Sequence, residues 1–166
     1  MLYYRGVENT TQLPSFSIRD SSFLITGGTG SFGVTMTNAL LQNGASAVRV
    51  FSRDESKQFT LRNRIQDRRL EFQLGDVREI ESIRYALRGI DYVFHAAALK
   101  HLPLLETYPT EAYQTNVLGT LTLLEASAGA GVGVFVNIST DKAANPISVL
   151  GYSKRIAERI TAHFGK

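Results

Sequence analysis

Short apolar runs, each followed by a longer stretch of mixed character, recur from Ser22 to the end of the sequence. Phe23-Leu24-Ile25, Val48 to Phe51, Leu70 to Leu74, Tyr92 to Phe94 and Val132 to Ile138 have the length and composition of strands. The stretches Phe32 to Gln42, Glu55 to Gln66, Ile80 to Leu87 and Glu111 to Ala128 are long enough for helices, and a fifth helix is predicted from Ser148 to Phe164. Within that last helix Val149, Tyr152, Ile156, Ile160 and Phe164 recur every three or four positions, which predicts one buried face. Strand and helix alternating this regularly imply right-handed crossovers and a mostly parallel, doubly wound α/β sheet of about five strands. Residues 1–20 break the pattern, carry Pro14 and read as an irregular arm or linker, leaving residues 21–166 as one domain.

Composition narrows the chemistry more than the fold. With no cysteine among 166 residues, disulfides, thiolate metal sites and thiol nucleophiles are excluded. A net charge of +3 is too weak to argue for nucleic acid, though it suits a phosphate-bearing ligand. Arg62, Arg64, Arg68 and Arg69 read as a solvated helix face rather than a nucleic-acid patch. His95, His101 and His163 lack the spacing of a metal site, so no metal is expected, and His95 reads as packing at a strand end. Met1 to Asp20 lacks the apolar stretch of a signal peptide and no run is long enough to span a bilayer, so a cytoplasmic location is expected.

The most informative segment is Gly27-Gly28-Thr29-Gly30-Ser31-Phe32-Gly33, between the first strand and the first helix. Glycines there permit a tight turn and close approach to a pyrophosphate, which then rests on the helix N-terminus. This is the dinucleotide-binding loop of a Rossmann fold, with Thr29, Ser31 and Phe32 placed beside the phosphates. The second strand ends Ser52-Arg53-Asp54, where an acid would bind the ribose of NAD. With Ser52 at that position, Arg53 can clamp a 2′-phosphate, which favours NADP; with Asp54 reaching back, NAD is the alternative. Asp76 and Val77 follow the third strand, where the adenine edge should lie, and Asp76 could also cap the next helix.

Two further segments narrow the reading. His95-Ala96-Ala97-Ala98-Leu99-Lys100-His101 and Ser139-Thr140-Asp141-Lys142-Ala143-Ala144-Asn145-Pro146, with the glycine loop, Ser52-Arg53-Asp54-Glu55 and Gly75-Asp76-Val77-Arg78, closely resemble the nucleotide-sugar 4,6-dehydratases of polysaccharide and flagellin-glycan biosynthesis. These are extended short-chain dehydrogenases acting on UDP-N-acetylglucosamine, and the resemblance runs from about Ser22 to Phe164. It implies transient oxidation at sugar C4, loss of water across C5 and C6 and return of hydride to C6, with the cofactor recycled. By the same resemblance Thr140 would hydrogen-bond the C4 oxygen, Asp141 would protonate the departing C6 hydroxyl and Lys142 would serve at C5. Ala96, Ala97 and Ala98 would border the cofactor, and Asn116 would brace the site. Lys100 and His101 are placed near the substrate without an assigned step.

Lys154 matches the lysine of the family's Tyr-x-x-x-Lys motif and would hydrogen-bond the nicotinamide ribose. The tyrosine position, however, is Leu150, which removes the usual base. Tyr152 stands two residues before Lys154, about 200° around a helix axis, and cannot substitute. Some membrane-linked relatives carry methionine there, so an apolar residue does not by itself imply inactivity. The resemblance also implies a carboxyl-terminal substrate lobe for the UDP-sugar, which these 166 residues do not include, so the chain alone is expected to be inactive. A nucleotide-sugar epimerase, or a non-catalytic dinucleotide-binding module, is the alternative. Extended relatives usually pair helices across a two-fold axis, so a homo-oligomer is expected.

Overall fold

The computed structural model describes the backbone of residues 2–5 together with residues 17–165. Five parallel strands form the sheet: β2 (Ser22–Thr26), β3 (Ala47–Ser52), β4 (Leu70–Leu74), β5 (Tyr92–His95) and β6 (Val134–Asn137). A sixth, β1 (Leu2–Arg5), pairs antiparallel with β6, and the order across the sheet is β1-β6-β5-β2-β3-β4. The arm read as irregular therefore contributes an edge strand, and its Ile18 packs against the core; residues 6–16 of that arm lie outside the described residues. Order reverses on either side of β2, which makes the carboxyl ends of β2 and β5 the topological switch point.

Alternate residues of each strand feed two cores. On one face Phe23, Ile25, Val48, Phe94, Val134 and Val136 pack against Leu40 and Leu41 of α1 (Ser31–Gln42). On the other, Leu24, Val93 and Phe135 meet Ile83 of α3 (Ile80–Ala86) and Leu123 and Leu124 of α6 (Gly119–Gly129). Helix α2 (Glu55–Arg64) is amino-capped by Asp54, whose carboxylate accepts from Lys57 N–H at 2.9 Å. Burial on both faces explains why the strands read as continuous apolar runs rather than alternating ones.

Three features depart from the sequence pattern. Leu102–Thr107 (α4) folds as a short helix started by Pro103, and Pro109–Ala112 (α5) leads into α6 through a π-helical stretch, Tyr113–Leu118. Asp76 does not cap α3; Glu79 occupies that position, and Asp76 instead closes a turn on Arg78. The predicted face of α7 (Val149–Phe164) is also corrected. Its buried residues are Leu150, Gly151, Ser153, Lys154, Ala157 and Thr161, whereas Tyr152 and Ile156 are 55% and 46% exposed. Close approach is the reason at Gly151, where a Cβ would stand 2.6 Å from the Lys142 carbonyl oxygen, so the helix turns this face inward beside Leu150. Ile160 and Phe164, further along, pack partly on the core.

Candidate dinucleotide site

The chain between β2 and α1 turns at Gly27, whose φ of +65° is unfavourable for residues with a Cβ. A side chain there would also collide with the Ala96 and Ala97 backbone at 2.7–2.8 Å. Gly33 is tighter still, because a Cβ would meet Gly28 backbone at 2.4 Å. At Gly30 a Cβ would touch only the Gly27 carbonyl oxygen, at 3.3 Å, so packing within the protein does not account for that glycine. Helix α1 has no side-chain cap and no acid in its first turn, unlike α2 with Asp54 and α7 with Ser148. Its amino end therefore keeps unsatisfied N–H groups over the cleft, which suits an anion.

That cleft has a volume of about 540 Å³. Gly27, Thr29, Gly30, Ser31, Phe32 and Gly33 line one wall. Ser52, Arg53, Asp76 and Val77 line the end beside β3 and β4, and Ala96, Ala97 and Ala98 the wall opposite the loop. Thirteen positions singled out from the sequence thus share one cavity, joined by Lys57, Thr115 and Ile138, which sequence reasoning missed. Lys57 follows the Asp54 cap by one helical turn, a spacing that could have flagged it.

Charge at the end beside β3 and β4 is largely committed. Asp54 Oδ2 lies 3.0 Å from Lys57 Nζ, and the Lys57 hydrogen bonds, backbone first, hold the Asp54 carboxyl below its ordinary range. Burial pushes Asp76 upward, but hydrogen bonds from Arg78 and the charges of Arg78 and Arg53 outweigh it, leaving it lowered. Arg53 is half exposed, with its guanidinium 3.7 Å from Asp76 Oδ2.

At the opposite end a buried network fixes the strand termini. His95 Nδ1 is 2.7 Å from Thr26 Oγ1, and His95 Nε2 is 3.0 Å from Thr120 Oγ1. Thr26 Oγ1 also accepts from Ala97 N–H, which aligns the alanine wall with the glycine loop. Burial, then the charge of Lys154, drives the His95 pKa down to about 3, so the ring is neutral. Asn116 does not line the cleft; its amide accepts from Leu99 N–H at 2.8 Å and donates to Leu99 C=O and Ser153 Oγ. It sits in the π-helical stretch, which aims it at the β5–α4 connection.

Lys154 Nζ donates to the Ile138 carbonyl at 2.6 Å, and burial lowers its pKa to about 8. Beyond Ile138 come Ser139, whose buried hydroxyl has no protein partner, and the 3-10 turn Asp141–Ala143. The Thr140 hydroxyl donates to Asp141 Oδ1 at 2.8 Å and, with the Lys142 charge, lowers the Asp141 carboxyl. Asp141 and Lys142 side chains are 86% and 46% exposed. Leu150 packs against Leu105 of α4 and Ala112 of α5. Lys100 and His101 border the cleft.

A nicotinamide dinucleotide fits this donor set. The uncapped α1 terminus and open Gly30 suit a pyrophosphate, while the orphaned hydroxyls of Thr115, on the cleft wall, and Ser139, next to Ile138, await partners. No group of acidic residues and histidines able to hold a metal occurs among the described residues, and no helix among them is long and apolar enough to cross a membrane.

Among known proteins, the chain is 46% identical over 146 residues to a UDP-glucose 4-epimerase of Rickettsia akari, covering 86% of this chain and 43% of the relative. The X-ray structure of Pen from Bacillus thuringiensis superposes with a TM-score of 0.83 at 37% identity, over 87% of this chain and 45% of that one. The dTDP-glucose 4,6-dehydratase DesIV of Streptomyces venezuelae, solved with NAD, gives 0.76 at 29% identity, over 84% of this chain and 50% of DesIV. The chain thus spans less than half the length of the curated relatives it matches. A family model described as polysaccharide biosynthesis protein matches residues 23–166, and the chain belongs to that family.

Proposed function

We propose that this chain is the dinucleotide-binding portion of a nucleotide-sugar 4,6-dehydratase that uses NADP and acts on a UDP-N-acetylglucosamine-type sugar. The observation that carries this reading is the Thr140-Asp141-Lys142 turn directly beyond Ile138 at the carboxyl end of β6. C4 epimerisation needs proton transfer at one oxygen, whereas water loss across C5 and C6 needs an acid and a base as well. Asp141 and Lys142 supply that second pair, and neither is consumed by packing.

A dinucleotide supplies hydride transfer when bound. Gly27, Gly30 and Gly33 would hold its pyrophosphate, Arg53 and Lys57 its adenosine end, and Lys154 its nicotinamide ribose. Thr140 would orient the sugar C4 oxygen. Asp141 is ionised as it stands, so it must take up a proton before it protonates the C6 hydroxyl. Lys142, after giving up its own proton to solvent, would remove the C5 proton and return one to C5 as hydride reaches C6. With Leu150 apolar, the C4 hydroxyl proton would pass to the Asp141 or Lys142 side. The uridine and most of the sugar would be bound by a further lobe, so the isolated chain should not turn over substrate. A cytoplasmic homo-oligomer completes the reading.

The epimerase reading is favoured by the naming of the Rickettsia relatives. The two separate in one assay. The chain is joined at Phe164 to the remainder of the Rickettsia akari relative and incubated with UDP-N-acetylglucosamine in deuterated water. A dehydratase yields a product lighter by one water and deuterated at C5. An epimer of unchanged mass with no C5 label would overturn the proposal.

A further inference from the structure

Strand β1 occupies an unexpected place. In the common doubly wound order the sheet continues past the fifth parallel strand with a sixth, also parallel. Here the neighbour of β6 is β1, running antiparallel, and β1 precedes the stretch that matches the family. Helix α7 packs along β1 and reaches β6 through the hydrogen bond that Asn137 Nδ2 donates to Thr161 Oγ1, as the crossover helix of a right-handed β-α-β unit touches its two strands. A parallel strand following α7 would therefore arrive at the edge that β1 covers. Relatives more than twice as long as the matched stretch have chain available for such a strand.

The ladder shows what either strand must satisfy. Ile138 N–H donates to the His95 carbonyl, so the even-numbered residues of β6 direct their main-chain groups toward β5. Phe135 and Asn137 accordingly face the other way, opposite Tyr4 and Leu2. Uncovered, these groups would form an open edge, prone to pairing with other chains. Residues 6–21 join β1 to β2 across about 14 Å, three strand spacings, while sixteen residues can extend to about 50 Å. The tether is long enough for β1 to leave the edge without disturbing β2.

We propose that β1 is a placeholder strand, which closes the β6 edge in cis and is displaced by the parallel strand that continues the sheet in a longer polypeptide of this kind. The inference rests on topology and stands apart from the assignment of substrate or cofactor. It is tested by amide hydrogen exchange on two proline variants of the intact chain. Tyr4 directs its N–H at β6, so Tyr4→Pro removes a ladder bond, whereas Tyr3 directs its N–H away and Tyr3→Pro leaves the ladder whole. Tyr4→Pro should speed exchange at Phe135 and Asn137 by about a hundredfold or more, and Tyr3→Pro by far less. Equal exchange in the two variants would overturn the assignment of β1 as the cover. Displacement is read in the fusion to the Rickettsia akari remainder: Phe135 and Asn137 stay protected while Tyr4 loses its protection. A folded fusion with Tyr4 still protected overturns the proposal. If the fusion does not fold, a peptide of the relative's first strand beyond the match is added to the intact chain, and failure to release Tyr4 at any soluble concentration is the overturning result.

Discussion

The glycine-loop cleft and the turn beyond β6 are built by different means. The glycine-loop end is made of backbone: Gly27, Gly28 and Gly33 sit where a Cβ would strike main chain or Val50, and α1 presents its bare amino terminus. The proposed reaction end, the turn Asp141–Ala143 with its cap Thr140, lies outside the cleft lining and is made of side chains: Asp141 and Lys142 stand exposed, anchored to the fold through Lys154 and Ile138. A site made of backbone is complete once the strands and α1 have packed. A site made of exposed side chains gains its geometry only when further contacts order it. The first end should therefore function in the isolated chain and the second should not.

The sharpest way to break the first end is Gly33→Ala. With Gly28 backbone at 2.4 Å, the methyl group has no room, and a loss of about 3–5 kcal/mol in stability is expected, with no dinucleotide binding. Gly30→Ala meets one atom at 3.3 Å, so unfolding should shift by less than about 1 kcal/mol while NADPH affinity falls at least about tenfold. Thermal unfolding and NADPH fluorescence titration read both. Equal stability losses would mean that Gly30 serves packing rather than a ligand.

Lys154 links the ends, and its titration gives the next effect. Its pKa is lowered from 10.5 to about 8, because burial penalises the ammonium more than the Glu158 charge supports it. Between those values the unfolded chain holds a proton that the folded chain has released, so stability rises with pH there. The slope from this group approaches about 1.4 kcal/mol per pH unit between pH 8 and 10.5, and is absent below 8. Denaturant unfolding of Lys154→Met against the unmodified chain isolates it. A flat difference across that window would remove Lys154 from its buried position.

Leu150 tests whether the reaction end could be completed by one residue. The side chain is 5% exposed and sealed by Leu105 and Ala112, so Leu150→Tyr must displace α4 or α5. The expected cost is about 1–3 kcal/mol in thermal stability, with no turnover gained in the isolated chain. Product formed by Leu150→Tyr alone would show that the reaction end lacks only its base.

Legibility followed the same division. Gly27 to Gly33 could be read from the sequence because backbone constraints leave a fixed spacing, and the parallel strands because two-sided burial leaves unbroken apolar runs. Helix α7 misled. Its regular stripe of Tyr152 and Ile156 faces outward, while the inner face is set by the approach of Gly151 to Lys142, a contact between segments that periodicity does not register. Strand β1 was illegible for a related reason: four residues become a strand because β6 offers Phe135 and Asn137 as partners far along the chain. Thr115 and Ser139 look like ordinary polar residues until burial leaves their hydroxyls without partners.

The smallest expected effect concerns cofactor choice, and it sharpens the contrast at the backbone end. A 2′-hydroxyl would call for a free acid at the end of β3. Asp54 is held by Lys57 and the α2 cap, and Asp76 by two hydrogen bonds from the Arg78 guanidinium. Arg53 meets Asp76 only at 3.7 Å and is half exposed, which leaves its guanidinium able to turn to a phosphate. The chain should therefore bind NADPH more tightly than NADH, and Arg53→Ala should weaken NADPH about tenfold while leaving NADH nearly unchanged. Lys57→Ala removes a second cation and releases the Asp54 carboxylate from its ion pair, so it should also weaken NADPH while favouring the ribose of NADH. Added salt should narrow the preference in the unmodified chain, since both cations stand at the solvent boundary. Equal affinities for the two cofactors at low salt would sink the NADP assignment and return Asp54 to the ribose.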